Sequence, residues 1–221
     1  VRLKGEAPDN NENGVFESSR IDESFNRRLE IKKFEVIKLG VDAGKGNGRD
    51  STVIYEKKDN KIKKYFEKNN VNLPGVKREI IQYCYKNPQK LIIANVDGTG
   101  LGTGLVQELE EQEIGNLIVN DIQFAGKAKK HKEYSNVRTE MYFELRKELQ
   151  NLDIDEDDEL KRELLVQIYE FDDQGRFKLI KKDKMVEILG HSPDKSDALA
   201  LCNYEFESKN ISIRASLEDY Y

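Results

Sequence analysis

Apolar positions along this chain follow two different spacings, and its opening stretch follows neither. "VRLKGEAPDNNENGVFESSRIDESFNRR" is polar and rich in turn formers, with no sustained apolar period. Residues 1–33 are therefore expected to form a linker or extended arm, with a short helix after Ser18. The globular pattern starts near Phe34. "FEVIKLGVD" ends in an apolar run and predicts a buried strand. "STVIYEKK" and "KIKKYFEK" alternate around "DN", which predicts a hairpin. "NLPGVKREIIQYCYKN" has helical spacing at Val76, Ile80, Ile81 and Cys84, with Asn72 placed to cap it and Pro74 near its start. "KLIIANVD" reads as a second buried strand, "LGTGLVQELEEQ" as a helix and "NLIVNDIQF" as a third core strand. The remainder predicts helices over "SNVRTEMYFELRKELQ", capped by Ser135, and "DELKRELLVQIYEF". A short hairpin in "FDDQGRFKLI" follows, then a helix "KKDKMVEILG" stopped by Gly190. The last helix is "SPDKSDALALCNYEF", with Ser192 as N-cap and Pro193 at the first position. Three strands, then strands alternating with helices, give an α/β fold with a mixed sheet and helices on both faces.

The 221 residues suffice for one large domain with appendages. The expected division is an arm over 1–33, a folded domain over 34–208 and a tail over 209–221. A first residue that is valine suggests an excised piece of a longer protein. No apolar run approaches the ~18 residues of a membrane span, and the start lacks a signal-peptide core. The two cysteines, Cys84 and Cys202, fall inside apolar helical patterns and read as buried thiols in a reducing compartment. With two histidines besides, an N/S metal cluster is excluded, and any metal must be a hard cation on carboxylates. The net charge of −5 argues weakly against a polyanionic partner, but "GKAKKHK" and "KLIKKDK" are locally basic, while "DIDEDDE" is strongly acidic.

The acids carry the chemistry. Asp42 ends the first predicted strand and Asp97 the second buried one, and in open α/β sheets ligands gather at the carboxyl ends of strands. Asp194 and Asp197 open the last helix, three residues apart and so on one face. Taken singly, each reads most simply as a turn residue, a cap or a complement to a helix dipole. Together they form a cluster of like charge that is unfavourable without a cation. Carboxylate oxygens suit one or two Mg²⁺ or Mn²⁺ ions, and an ion pair ~3.5–4 Å apart serves in-line phosphoryl displacement.

"LGVDAGKGNGRDSTVI", "LIIANVDGTGLGTGLVQEL", "NVRTEMYFELRKEL" and "SPDKSDALAL", in this order, resemble the C-terminal nuclease domain of viral large terminase subunits, the DNA-packaging motors of tailed bacteriophages and prophages. The opening stretch is similar to their link between ATPase and nuclease domains, so the resemblance runs from residue 1 to about 207. It implies a ribonuclease H-like fold and metal-dependent endonuclease cutting of concatemeric double-stranded DNA in the host cytoplasm, on a two-ion Mg²⁺ or Mn²⁺ site. Residue by residue, Asp42 and Asp97 match the first two metal-binding acids. The third falls at Asp197, which is favoured as the direct ligand, or at Asp194. Lys127, Lys129, Lys130 and Lys132 are then expected to contact DNA phosphates, with Lys181, Lys182 and Lys184 as a second set. Asn136, Arg138 and Glu140 match a helix motif expected to position structure. The full-length protein would add an ATPase domain, a small terminase subunit and the capsid portal as partners, but no membrane. No Walker-type loop is present, so the ATPase half is absent from this chain.

Three other readings compete, one of them a non-catalytic structural module in which the strand-end acids are incidental. "VDAGKGNGRDSTVI" and "VDGTGLGTG" also look like the phosphate loops of actin and sugar kinases, an ATP-binding scheme that requires two duplicated subdomains. A resolvase or transposase would share fold and chemistry and differ in substrate.

Overall fold

The computed structural model describes residues 13–32, 34–44 and 51–206. The start of the expected arm, positions 45–50 of the loop after the first strand, and the tail from 207 lie outside the described residues. Six strands make one sheet: β1 (Val36–Asp42), β2 (Ser51–Lys58), β3 (Lys61–Asn69), β4 (Leu91–Asp97), β5 (Leu117–Ile122) and the two-residue β6 (Asp153–Ile154). Their order is β5-β4-β1-β2-β3-β6. β1, β4 and β5 run parallel, whereas β2 and β3 form an antiparallel meander with β1. This is the mixed sheet that the pattern predicts. The described residues contain one such sheet rather than the two related subdomains of the ATP-binding scheme.

Among the described residues lie seven α-helices: α1 (Ser18–Asn26), α2 (Leu73–Lys86), α3 (Leu101–Glu110), α4 (Val137–Glu148), α5 (Asp158–Leu165), α6 (Lys182–Leu189) and α7 (Asp194–Asn203). Side chains alternate across a strand, so each strand feeds two cores. Ile37, Leu39, Val41 and Ile54 pack with Val76 and Ile80 of α2 and Leu105 of α3. Val53 and Tyr55 face the other way, into a core with α1, α4, α5 and α7. α7 lies directly on β1, because Gly40 has no side chain. A Cβ there would stand 2.1 Å from the carbonyl oxygen of Ala198 and 2.3 Å from the amide nitrogen of Cys202. Cys84 and Cys202 are both buried free thiols. No helix among the described residues is long and apolar enough to cross a membrane.

Several local expectations change. α4 is capped by Asn136, whose side chain accepts from the Thr139 amide, and not by Ser135. α7 begins one residue later than expected, with Pro193 at the N-cap and Asp194 as its first residue. Pro193 offers no capping side chain, and the Ser196 amide of the first turn is met instead by the Glu163 carboxyl of α5. The helix predicted through Phe171 stops at Leu165, and Tyr169–Phe171 becomes β7, paired antiparallel with β8 (Phe177–Leu179). Burial of aromatic rings outweighs helical spacing here: Tyr169 lies edge-on to Phe143 of α4, at 5.6 Å between centroids, and to Phe177. Part of the expected arm joins the core. Val15, Phe16, Ile21 and Phe25 are buried, and the Val15 amide donates to the Gln167 carbonyl. The acidic stretch "DIDEDDE" supplies β6 and the cap of α5, Asp157, whose carboxylate accepts from the amides of Glu159 and Leu160.

Candidate active site at the strand ends

Parallel pairing places Val41 beside Val96, so the next residues, Asp42 and Asp97, end neighbouring strands at the same edge. α7 crosses that edge with its N-terminus. Asp42, Asp97, Asp194 and Asp197 are all buried, at 6%, 9%, 6% and 0% exposure. The four are close enough to act on one another. Burial pushes the Asp42 carboxyl well above the usual carboxylate range, Lys182 pulls it back, and Asp194, Asp197 and Asp97 push it further up. Asp97 is also raised by burial, against hydrogen bonds from the Thr99 hydroxyl at 2.6 Å and the Thr99 amide at 3.0 Å.

The two aspartates of α7 have different surroundings. Asp194 accepts from the Ser51 amide of β2 at 2.8 Å and lines a cavity of about 200 Å³ with His191, Glu163 and Lys195. Asp197 turns toward α4. Its Oδ1 accepts from Arg138 Nε at 3.1 Å, Arg138 Nη2 at 2.9 Å and the Tyr142 hydroxyl at 2.7 Å, and its Oδ2 from Lys182 Nζ at 3.1 Å. Burial would raise this carboxyl, but Arg138, then Lys182 and Tyr142, overcome that and hold it below the usual range. Beneath the site, Glu163 accepts from the Ser196 amide at 2.7 Å and is raised to about 9 by burial, with Asp194 and Asp197 adding to the shift.

Lys182 is therefore a member of the acid cluster. Its ammonium is desolvated, yet Asp197 and Asp42 hold its pKa above the usual lysine range. Lys195, buried next to Asp194, is clamped by Glu159 at 2.6 Å, Asp157 at 3.0 Å and Glu67 at 3.4 Å. Asp157 is pulled to about 2 by Lys64, the Leu160 amide and Lys195, which outweigh its desolvation. The acidic stretch thus fixes the first turn of α7. None of Arg138, Tyr142, Glu163 and Lys195 stands out as a site residue in the sequence; Arg138 belonged to a motif, but its partner lies 59 positions away.

The other expected lysines stand elsewhere. Lys127, Lys129, Lys130 and Lys132 are exposed on the loop before α4. The buried Glu140 anchors this loop, accepting from the amides of Lys129 and Lys130, both at 2.8 Å, and from the Tyr204 hydroxyl at 3.1 Å. The Lys129 ammonium donates to the Glu205 carbonyl and lies over the Tyr204 ring. This anchor is at the far end of α7, roughly 15 Å from Asp194 at 1.5 Å rise per residue. Lys181 and Lys184 are exposed at the start of α6.

Among the described residues, no three His, Cys, Asp or Glu side chains already form a metal-holding group. The site nonetheless suits a hard cation. Asp42 Oδ2 is buried with no hydrogen-bond partner. A carboxylate oxygen in that state is costly unless a cation meets it, and the Lys182 ammonium shows that the cluster already attracts one.

No protein-family model and no curated protein matches the chain. Solved structures do. The nuclease domain of the large terminase subunit gp2 of bacterial virus Sf6, a variant with manganese and β-thujaplicinol, matches at TM-score 0.71 and 16% identity, covering 88% of this chain and all of the other. The large terminase nuclease from thermophilic phage G20c with bound magnesium matches at 0.61 and 16%, covering 90% and all. That of Thermus phage P74-26 matches at 0.54 and 14%, covering 89% and 97%. The sheet order, the flanking helices and these likenesses agree: the chain has the ribonuclease H-like fold of the nuclease domains of phage large terminase subunits.

Proposed function

We propose that the chain is a metal-dependent nuclease that cuts double-stranded DNA during viral genome packaging, as the nuclease part of a large terminase subunit. The observation that carries this reading is the convergence of Asp42 and Asp97, at the ends of adjacent parallel strands, with the two aspartates of α7, around an Asp42 oxygen that lacks a donor. The likeness in fold to nucleases solved with manganese or magnesium supports it.

Asp42, Asp97 and the α7 aspartates would hold the Mg²⁺ or Mn²⁺. When bound, such ions supply an activated water and charge stabilisation at the leaving 3′-oxygen. The chain's own part is placement. β1 and β4 fix two carboxylates through their register, and α7 fixes the others through Gly40, Arg138 and Lys195. Thr99 holds the Asp97 carboxylate through two hydrogen bonds to one oxygen. Lys182 offsets part of the cluster's negative charge through Asp197 and Asp42. Exposed Lys127, Lys130 and Lys132 offer phosphate contacts that carry no sequence information. Endonucleolytic cutting of concatemers, and work with an ATPase domain, a small subunit and a portal inside the infected cell, belong to the same proposal.

The test is plasmid cutting with Mn²⁺, Mg²⁺ or EDTA. Wild type should cut with either ion and stop in EDTA. Asp42→Asn should lose about 10²–10³-fold or more, the scale set by removing one electrostatic element of an active site. It should fold at least as stably, because a buried carboxylate among like charges is removed. Cutting that persists in EDTA would sink the proposal.

A further inference from the structure

The arm that leads into β1 supports the start of α7 at two points, and both converge on one residue, Ser196. Asn13 to Val15 run antiparallel to residues 167–169, with a bridge between Gly14 and Ile168. The Val15 amide donates to the Gln167 carbonyl at 2.8 Å, and the Tyr169 amide to the Asn13 carbonyl at 3.0 Å. The next residue, Phe16, is buried edge-on against the Tyr142 ring, at 6.2 Å between centroids. Gln167 and Tyr142 in turn reach α7. Gln167 Nε2 donates to Ser196 Oγ at 3.3 Å and to the Glu163 carbonyl at 3.1 Å. The Tyr142 hydroxyl lies 2.9 Å from the same Ser196 Oγ and donates to Asp197 Oδ1 at 2.7 Å. α7 needs such outside partners, because Pro193 offers no capping side chain and the first amides of a helix have no partner within it. The arm is tied down further along as well. Lys161 of α5 donates to Asp22 at 2.6 Å, and Arg27 donates to the carbonyls of Leu149 and Leu152, just past α4, at 3.1 and 2.7 Å. A passive linker would need none of these contacts.

We infer that residues 13–27 are a working part of the nuclease: Val15 and Phe16 are positioning residues that hold Gln167 and Tyr142, and through them the first turn of α7, in place at the acid cluster. This rests on the metal-dependent reading above and adds positioning residues to it. Neither Val15 nor Phe16 touches a reacting group. Their leverage is geometric, since a misplacement of about 1 Å caused by a remote change is enough to cost about 10²-fold in rate.

Phe16→Ala and Leu105→Ala separate positioning from stability, since both empty a buried apolar site but only Phe16 lies on the route to α7. Plasmid cutting at saturating Mn²⁺ is read per folded molecule, with the folded fraction taken from circular dichroism. Phe16→Ala should lower kcat by about tenfold to 10²-fold while KM for DNA stays near wild type. Leu105→Ala should keep both. Phe16→Leu, which retains much of the apolar volume, should fall between wild type and Phe16→Ala. Phe16→Ala combined with Tyr142→Phe should lose less than the product of the two single losses, as residues in contact do. Amide hydrogen exchange without metal gives a readout independent of cutting. Phe16→Ala should speed exchange over residues 194–198 and leave α2 protected, and Leu105→Ala should do the reverse. Wild-type kcat in folded Phe16→Ala, an equal loss in Leu105→Ala, strictly multiplicative losses with Tyr142→Phe, or unchanged exchange over 194–198 would overturn the inference. Phe16→Leu keeps it decidable if Phe16→Ala does not fold. Wild type that cuts no DNA with either ion would refute the nuclease reading, while exchange over 194–198 would still decide whether the arm holds α7.

Discussion

On the α2–α3 side of the sheet, Ile37, Leu39 and Val41 meet Val76, Ile80 and Leu105, and the stabilising contacts are aliphatic. On the α4–α7 side, the same strands present Asp42, Asn95 and Asp97 to a layer that buries Arg138, Glu140, Glu163, Asp194, Lys195 and Asp197. Both sides are closed to solvent, but the second uses much of its interior for charge. Asn95 shows how thoroughly it is satisfied: its side chain donates to the carbonyls of Leu201 and Tyr204 and accepts from Asn120. A buried charged layer adds little to stability once desolvation is counted. It lies on the side of the proposed site, and apolar packing on both sides keeps the sheet folded.

The largest effect that separates the two sides should come from the apolar one. Leu105→Ala, in a fully buried α3 position, should cost roughly 2–5 kcal/mol in urea unfolding. Cutting per folded molecule should be unchanged; a large loss of specific activity would show that the sides are not separable. On the charged side the sign reverses. Glu163 has its folded pKa raised to about 9 from an ordinary 4.5, so its stabilising contribution is complete below pH 4.5 and is lost as the pH rises toward 9. Glu163→Gln should therefore match wild type near pH 4.5 and become progressively more stable than it as the pH rises to 8, read as melting temperature across that range. A variant less stable than wild type at pH 8 would mean that the carboxyl is ionised and paired. The smallest effect lies at the rim. Replacing Lys127 and Lys132 together with Ala should weaken DNA binding and flatten the salt dependence by about 0.9 for each lysine that neutralises a phosphate. Stability should change little, since Glu140 anchors this loop through backbone amides. An unchanged salt slope would remove these lysines from the DNA surface.

Much of the architecture was legible along the chain. The strand-end acids could be read because local apolar runs define strands, and a residue at the end of a parallel strand goes to the ligand edge in any sheet of this class. What could not be read was decided by rings and charges far apart in sequence. The β7–β8 hairpin replaced the end of a predicted helix because Tyr169 found Phe143 and Phe177. Lys182, grouped by sequence with other lysines as a phosphate contact, instead lies among carboxylates, because α6 delivers it beside Asp197 and Asp42.

The motif "DKSDALAL" illustrates the same division. Its spacing alone determined that two acids start a helix and lie within one turn of each other, since that follows from 3.6 residues per turn. Which acid faces the cavity and which faces a guanidinium depended on the crossing of α7 over β1 and α4. That crossing is set by Gly40 and by Arg138, residues remote from the motif, and only the folded chain brings them to it.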